Sequence, residues 1–109
     1  IDLRDAEGAQ KVIAGAEANV VINCAEGDWN DVVYKICLEE KCHVIDLGSD
    51  IPTTKEQIAL HEEFKNAGLT AITGCGSTPG INNVMLHHAH QRQYEFQDDT
   101  SESDRLILF

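Results

Sequence analysis

A glycine-rich segment at residues 73–83, with the sequence TGCGSTPGINN, carries the residue types best suited to ligand binding. An apolar stretch, Leu69–Ile72, runs into it, which predicts a strand followed by a tight turn. Glycines let backbone N–H groups approach a ligand closely, and a helix N-terminus favours negative charge nearby. We predict that a helix starts directly after the turn, with Thr78 as its N-cap and Pro79 at its first position.

Small and polar residues follow two earlier apolar stretches in the same way. The three predicted strand ends lie at residues 23–25, 46–49 and 74–78. In an open parallel sheet, ligands bind outside the carboxyl ends of the strands, so these three loops are the candidate site. A solvated connecting loop explains any one of them equally well. Asp46, at the second strand end, is either a site residue or the cap of the next turn.

The elements that must position these loops follow from the hydrophobic pattern. Predicted strands cover Asn19–Ala25, His43–Leu47 and Leu69–Thr73. One helix is predicted before the first strand, over Ala9–Ala16. A second follows an N-cap at Asp28, and a third begins at a capping box formed by Thr54 and Gln57 and stops at Gly68. Strands that alternate with helices predict parallel pairing and right-handed crossovers, so the fold class is α/β.

Composition narrows the possible functions. The 109 residues are 42% hydrophobic and 6% aromatic, with a net charge of -11. This charge argues against nucleic acid or an anionic membrane as a partner. The sequence contains neither a run of transmembrane length nor a signal-peptide pattern. We predict one domain over residues 1–93, followed at 94–109 by an acidic loop and the start of another strand or domain. Because the first residue is Ile1, we expect the chain to be cut from something longer.

The cysteines and histidines favour structural roles. Cysteines stand at positions 24, 37, 42 and 75, in spacings that match neither zinc sites nor CxxC redox motifs. Buried, reduced thiols in a cytoplasmic protein are the expectation. His87, His88 and His90 share one predicted helix, where a packing or solvated face is favoured over a metal site. The pattern assigns no metal ligand and no catalytic acid or base.

Several stretches together resemble the saccharopine dehydrogenase-like family. They are VVINCA at residues 20–25, CLEE at 37–40, HVIDL at 43–47, LHEEFKNAG at 60–68 and the glycine segment itself. Their order and spacing extend the resemblance over residues 2–90. It implies the second half of a Rossmann domain, strands 4-5-6 with flanking helices, from an NAD(P)-dependent oxidoreductase. The implied reaction is hydride transfer at an amine-bearing carbon of an amino-acid-like substrate.

The resemblance also implies site residues. The implied cofactor-binding positions near the adenine are Asp2 and Leu3. At the strand ends they are Asn23, Cys24 and Ala25 after the first strand and Leu47 after the second. Beside the nicotinamide they are Gly76, Ser77 and Thr78. Substrate-side positions are Gly48, Ser49 and Thr78, and Asn83 matches an asparagine of the following helix. Saccharopine reductases carry aspartate at the position of Thr78 and an aromatic residue at that of Ser49. The expected substrate is therefore not saccharopine itself.

One motif of dinucleotide-binding domains is absent from the sequence. No GxGxxG occurs, although that turn carries the pyrophosphate. In the family it lies on the first strand, so the chain is expected to lack its first half and its substrate domain. We therefore expect as partner either the missing half of the same protein or a second copy, with NAD or NADP as cofactor. The alternative hypothesis is a non-catalytic α/β module that binds a partner or a regulator.

Overall fold

The protein folds as three parallel strands with helices beside them. The computed structural model describes the backbone of residues 1–97 and the side chains of residues 1–92. Strands β1 (Val20–Asn23), β2 (His43–Asp46) and β3 (Ala71–Ile72) form one sheet in the order β1-β2-β3. Val20 pairs with His43 and Asn23 with Asp46, while Ile45 pairs with Ile72. This confirms the predicted α/β fold, a Rossmann-like half domain, although each strand is shorter than predicted.

Five α-helices accompany the strands in the described part of the chain. They are α1 (Ala6–Gly15), α2 (Asn30–Glu39), α3 (Ile51–Ala59), α4 (His61–Asn66) and α5 (Ile81–Gln97), and a short 3-10 helix, Gly27–Trp29, precedes α2. None of the helices in residues 1–97 combines the length and the apolarity that a bilayer crossing requires. Because α5 runs to Gln97, it crosses the domain boundary predicted at residue 93. The expected loop and strand of the remaining tail lie outside the described residues.

None of the three predicted N-caps, Asp28, Thr54 and Thr78, begins a helix in the structure. Asp50 accepts a hydrogen bond from the Thr53 N–H at 2.9 Å, so α3 begins three residues before the proposed Thr54 capping box. The 3-10 helix replaces the Asp28 cap, and Thr78 lies in a turn ahead of α5. The predicted stop at Gly68 is borne out by its φ of 70°, a conformation that glycine adopts without strain.

The core lies on one face of the sheet, between the strands and α2. Tyr34 and Phe64 pack edge to face, with ring centroids 5.7 Å apart and an interplanar angle of 67°. Around them lie Val44 and further apolar residues of α1 and α2, namely Ala9, Ile13, Val33, Ile36 and Cys37. The opposite face is open in the described chain, since Val20, Ile22 and Ile72 are all exposed. Parallel sheets normally bury both faces, so this face marks where the half domain ends.

Candidate functional site

The end of β1 is shaped by a buried asparagine. The Asn23 side chain donates a hydrogen bond from Nδ2 to Asn30 Oδ1 at 2.6 Å, and its Oδ1 accepts one from the Ala25 N–H at 3.1 Å. These bonds fix the turn that presents Cys24 and Ala25 at the carboxyl edge of the sheet. Asn23 is itself buried, so its amide serves the turn, while the exposed Cys24 and Ala25 face outward.

A cavity of about 440 Å³ opens between the ends of β1 and β2. Five predicted site residues line it, namely Cys24, Ala25, Leu47, Gly48 and Ser49. The remaining lining residues are Gly27 and three acids, Glu26, Asp28 and Asp50. Hydrogen bonds from the Thr53 backbone and hydroxyl hold the pKa of Asp50 below its ordinary value, so this carboxylate stays charged. The cavity therefore presents small residues and negative charge.

A second cavity, also of about 440 Å³, lies beside the first and shares Ala25 and Glu26 with it. It brings Asp2 and Leu3, the residues predicted near the adenine, next to the β1 turn. Arg4 also lines this cavity, and its guanidinium bonds the Asp2 carboxylate at 2.9 Å. Hydrogen bonding to Arg4 lowers the pKa of Asp2 to about 2. The basic group at this cavity is thus already paired with an acid.

The glycine loop, residues 73–80, folds against the turn that follows β2. A Cβ added at Gly76 would lie 2.5 Å from the Leu47 carbonyl oxygen, so only glycine allows this approach. Gly76 forms an isolated bridge with Gly80, and the Ile81 N–H donates to the Gly76 carbonyl at 2.9 Å. The loop thereby leads directly into α5. Ser77 and Thr78 are exposed and line neither of the two cavities in the described structure.

Asp46 connects the two loops. Its Oδ1 accepts hydrogen bonds from the Gly48 N–H at 2.7 Å and from the Gly74 N–H at 3.3 Å. Its backbone carbonyl accepts a further bond from the Cys75 N–H at 2.8 Å. Of the two roles left open by the sequence, capping the next turn is the one seen. The link to the glycine loop had no sequence signal, because it joins residues 28 positions apart.

The four thiols divide into two pairs. Cys37 and Cys42 are buried, as predicted, and burial raises the pKa of the Cys37 thiol to about 12. Cys24 and Cys75 are exposed at the carboxyl edge, so burial was wrong for these two. Among the described side chains, those of residues 1–92, no group of three or more His, Cys, Asp or Glu is arranged to hold a metal ion.

The lining of these cavities fits the uncharged and cationic parts of a dinucleotide. Gly27 has room for a side chain, because a Cβ there would meet nothing closer than the Gly48 Cα at 3.8 Å. Gly48 has none, because its Cβ would lie 2.6 Å from Asn30 Nδ2 and 3.1 Å from Asp46 Oδ1. Glu26, Asp28 and Asp50 line the first cavity and would repel a pyrophosphate there. Within the described residues, neither of these two cavities is lined by an unpaired basic side chain that could hold the phosphates. This agrees with the missing GxGxxG turn.

The fold and the site together define half of a dinucleotide-binding domain, with its cavities at the carboxyl edge of a parallel sheet. The family model "Saccharopine dehydrogenase NADP binding domain" matches residues 1–72. The chain therefore belongs to the saccharopine dehydrogenase family, through its NADP-binding domain, and the predicted NAD(P) cofactor agrees with it. The match ends at the last residue of β3, so the glycine loop lies beyond it.

Three curated relatives show how much of a whole protein the chain spans. It is 29% identical to an alpha-aminoadipic semialdehyde synthase of Arabidopsis thaliana, over 93% of this chain and 9% of the relative. It is 27% identical to a carboxynorspermidine synthase of Vibrio cholerae, over 90% of this chain and 26% of the relative. A carboxyaminopropylagmatine dehydrogenase of Synechocystis is 29% identical, over 78% of this chain and 23% of the relative. The chain thus spans between about a tenth and about a quarter of the length of these relatives.

Proposed function

We propose that this chain is the second half of the NAD(P)-binding domain of an oxidoreductase that transfers hydride at an amine-bearing carbon of an amino-acid-like substrate. The observation that carries the proposal is the acidic cavity between the ends of β1 and β2. Family membership supplies the cofactor class, and one of the three relatives is named a dehydrogenase. The proposed localisation of the parent protein is the cytoplasm.

The charge of the cavity supports an amine as the substrate group. Glu26, Asp28 and Asp50 surround the substrate-side positions Gly48 and Ser49. Carboxylates attract an ammonium group through charge-assisted contacts. They can supply the negative charge that Thr78 cannot. The hydride chemistry belongs to the cofactor when it is bound, and the protein's part is to align the nicotinamide with the substrate carbon.

The residues divide among four tasks in this proposal. Asp2, Leu3 and Ala25 hold the adenosine side of the cofactor, in the cavity they share. Leu47, together with the glycine-loop residues Gly76, Ser77 and Thr78, borders the nicotinamide. Gly48 and Ser49 border the substrate. Asn23 keeps the β1 turn in shape, with Cys24 at its surface.

A side chain placed in the acidic cavity tests the proposal in the natural full-length protein. Gly27→Leu is expected to fill the space near Gly48 and to weaken NADPH or NADH binding about tenfold, equivalent to about 1.4 kcal/mol. Fluorescence titration of both cofactors measures the effect. Gly15→Leu is the matched control, since nothing lies within 4 Å of a Cβ at Gly15. Unmodified protein that binds neither cofactor would instead favour a non-catalytic binding or regulatory module.

The 109-residue polypeptide alone is expected to show no turnover of NAD(P)H with any amino acid. It lacks a pyrophosphate turn, and the only basic residue lining its two edge cavities in the described structure is Arg4, which is paired with Asp2. Steady-state absorbance at 340 nm, a wavelength specific to reduced nicotinamide, would follow the reaction. Measurable dehydrogenase activity from the purified polypeptide would contradict this expectation.

A further inference from the structure

The carboxylate of Asp46 is the most fully engaged polar group near the candidate site. The residue is 1% exposed. Oδ1 accepts from the Gly48 and Gly74 N–H groups, while Oδ2 accepts from the Tyr34 hydroxyl at 2.6 Å and from Gln57 Nε2 at 2.9 Å. Four donors match the roughly four lone-pair sites of a carboxylate. Asp46 therefore has no acceptor site left for a substrate.

The two oxygens serve different parts of the molecule. Oδ2 faces the helices, because Tyr34 lies in α2 and Gln57 in α3. Oδ1 faces the two loops at the carboxyl edge, the turn after β2 and the glycine loop after β3. One rigid planar group thus relates both loops to the helix layer. Only a carboxylate can do this with two acceptor oxygens in a side chain of this size.

We propose that Asp46 is the positioning residue of this site, and that its buried carboxylate sets the distance between the substrate-side turn and the nicotinamide-side loop. The role assigned to those loops rests on the proposed function. Gly48, on the substrate side, bonds Oδ1 directly. Gly76, on the nicotinamide side, is two residues beyond Gly74 and packs on the backbone of Leu47. A displacement of Oδ1 is transmitted to both sides at once.

A purely stabilising role would not need this arrangement. Burying a carboxylate costs free energy, and well-packed apolar side chains replace buried charges without loss of stability in many proteins. The carboxylate instead provides directional bonds to two backbone N–H groups that lie 26 residues apart in the chain. Charge-assisted bonds of this kind are roughly twice as strong as neutral ones, and they hold loop positions within a narrow range.

Asp46→Asn in the natural full-length protein tests the proposal. The Tyr34 hydroxyl can also act as an acceptor and the Gln57 amide can rotate, so the new Nδ2 finds partners and the fold is kept. The bonds from Gly48 and Gly74 then go to a neutral acceptor. We expect exchange of these two amides to quicken about tenfold, as the charge assistance is lost. Hydrogen exchange measured on peptides covering residues 47–50 and 73–76 reports it, with the peptide containing Val44 as reference.

Tyr34→Phe is the matched control, because it removes a donor to the same carboxylate but only on the helix side. It is expected to lower the free energy of unfolding while the loop amides exchange as in the unmodified protein. Should the Asn variant fail to fold, Asp46→Glu keeps the charge, displaces it by one methylene, and is expected to quicken the same loop amides. Loop exchange within about twofold of the unmodified protein in the Asp46 variant, or equal quickening in Tyr34→Phe, overturns the proposal.

The proposed function is tested by a different measurement, the binding of NADPH or NADH by the unmodified protein. The exchange experiment needs no cofactor, so it decides the role of Asp46 in joining the loops whatever the ligand is. In an NADPH titration, the dissociation constant of the Asp46→Asn variant is expected to be about tenfold larger than that of the unmodified protein. That of Tyr34→Phe is expected to change by less than about twofold. Equal weakening in both variants would identify Asp46 as a general stabilising residue and overturn its positioning role.

Discussion

Replacing Gly76 with valine is expected to weaken NAD(P)H binding by the natural full-length protein about 10- to 100-fold, equivalent to about 1–3 kcal/mol of overpacking. The reason is the approach of the glycine loop to the turn after β2. The new Cβ would lie 2.5 Å from the Leu47 carbonyl oxygen and 3.2 Å from its carbon. Since both are backbone atoms, the loop itself must move, and it carries Ser77 and Thr78 with it.

Gly76→Val is expected to change the midpoint of thermal unfolding by only a few degrees, because the loop lies outside the core. Calorimetry gives both the affinity and the unfolding midpoint. Gly15→Val, at a position with open space around the Cβ, is the control and should change neither quantity. An unchanged dinucleotide affinity in Gly76→Val would remove the glycine loop from the cofactor site.

The 109-residue polypeptide alone is expected to self-associate at micromolar concentration. Strand β1 pairs only with β2 in the described structure, so its other edge presents unpaired N–H and C=O groups. The same strand exposes 45% of Val20 and 60% of Ile22 on the open face of the sheet. An apolar, unpaired edge of this kind favours pairing with a second chain. Sedimentation velocity measures the distribution of species.

Ile22→Lys is expected to shift this distribution toward monomer, since a charge on the open face opposes its burial. Ile58→Lys is the matched control, because Ile58 is 61% exposed but lies on α3, away from β1. It should leave the distribution unchanged. A clean monomer whose β1 amides exchange slowly would show that another part of the polypeptide covers this edge.

The sequence predicted the strands and their parallel pairing because these depend on local patterns. Apolar stretches such as Val20–Ile22 mark a strand, and Gly68 marks the end of a helix. The loops at the strand ends then follow from topology. Five of the residues predicted at the first two strand ends line one cavity, whereas Asn23 and Asp46 are buried beneath it. The assignment of each of them to cofactor or substrate remains a prediction.

The features that the sequence did not predict depend on contacts between distant residues. Gln57 matches a capping box by its spacing from Thr54, yet its amide is used by Asp46, and Asp50 caps the helix instead. Glycine is required at position 76 by the nearby backbone of Leu47, whereas the positive φ values of this loop occur at Gly74 and Gly80. Local patterns carry no information about such neighbours.

Helix α5 is hydrogen-bonded to the glycine loop, so the two are expected to move together. Its first turn is bonded to the loop, by Ile81 N–H to Gly76 and by Asn82 N–H to the Ser77 carbonyl at 3.1 Å. The 17 residues of α5 make it about 25 Å long. A tilt of about 5° at the loop therefore sweeps the far end by about 2 Å, and a force applied at Gln97 acts on Gly76 through the same lever arm. Motion of any body joined beyond Gln97 would therefore be transmitted to the glycine loop.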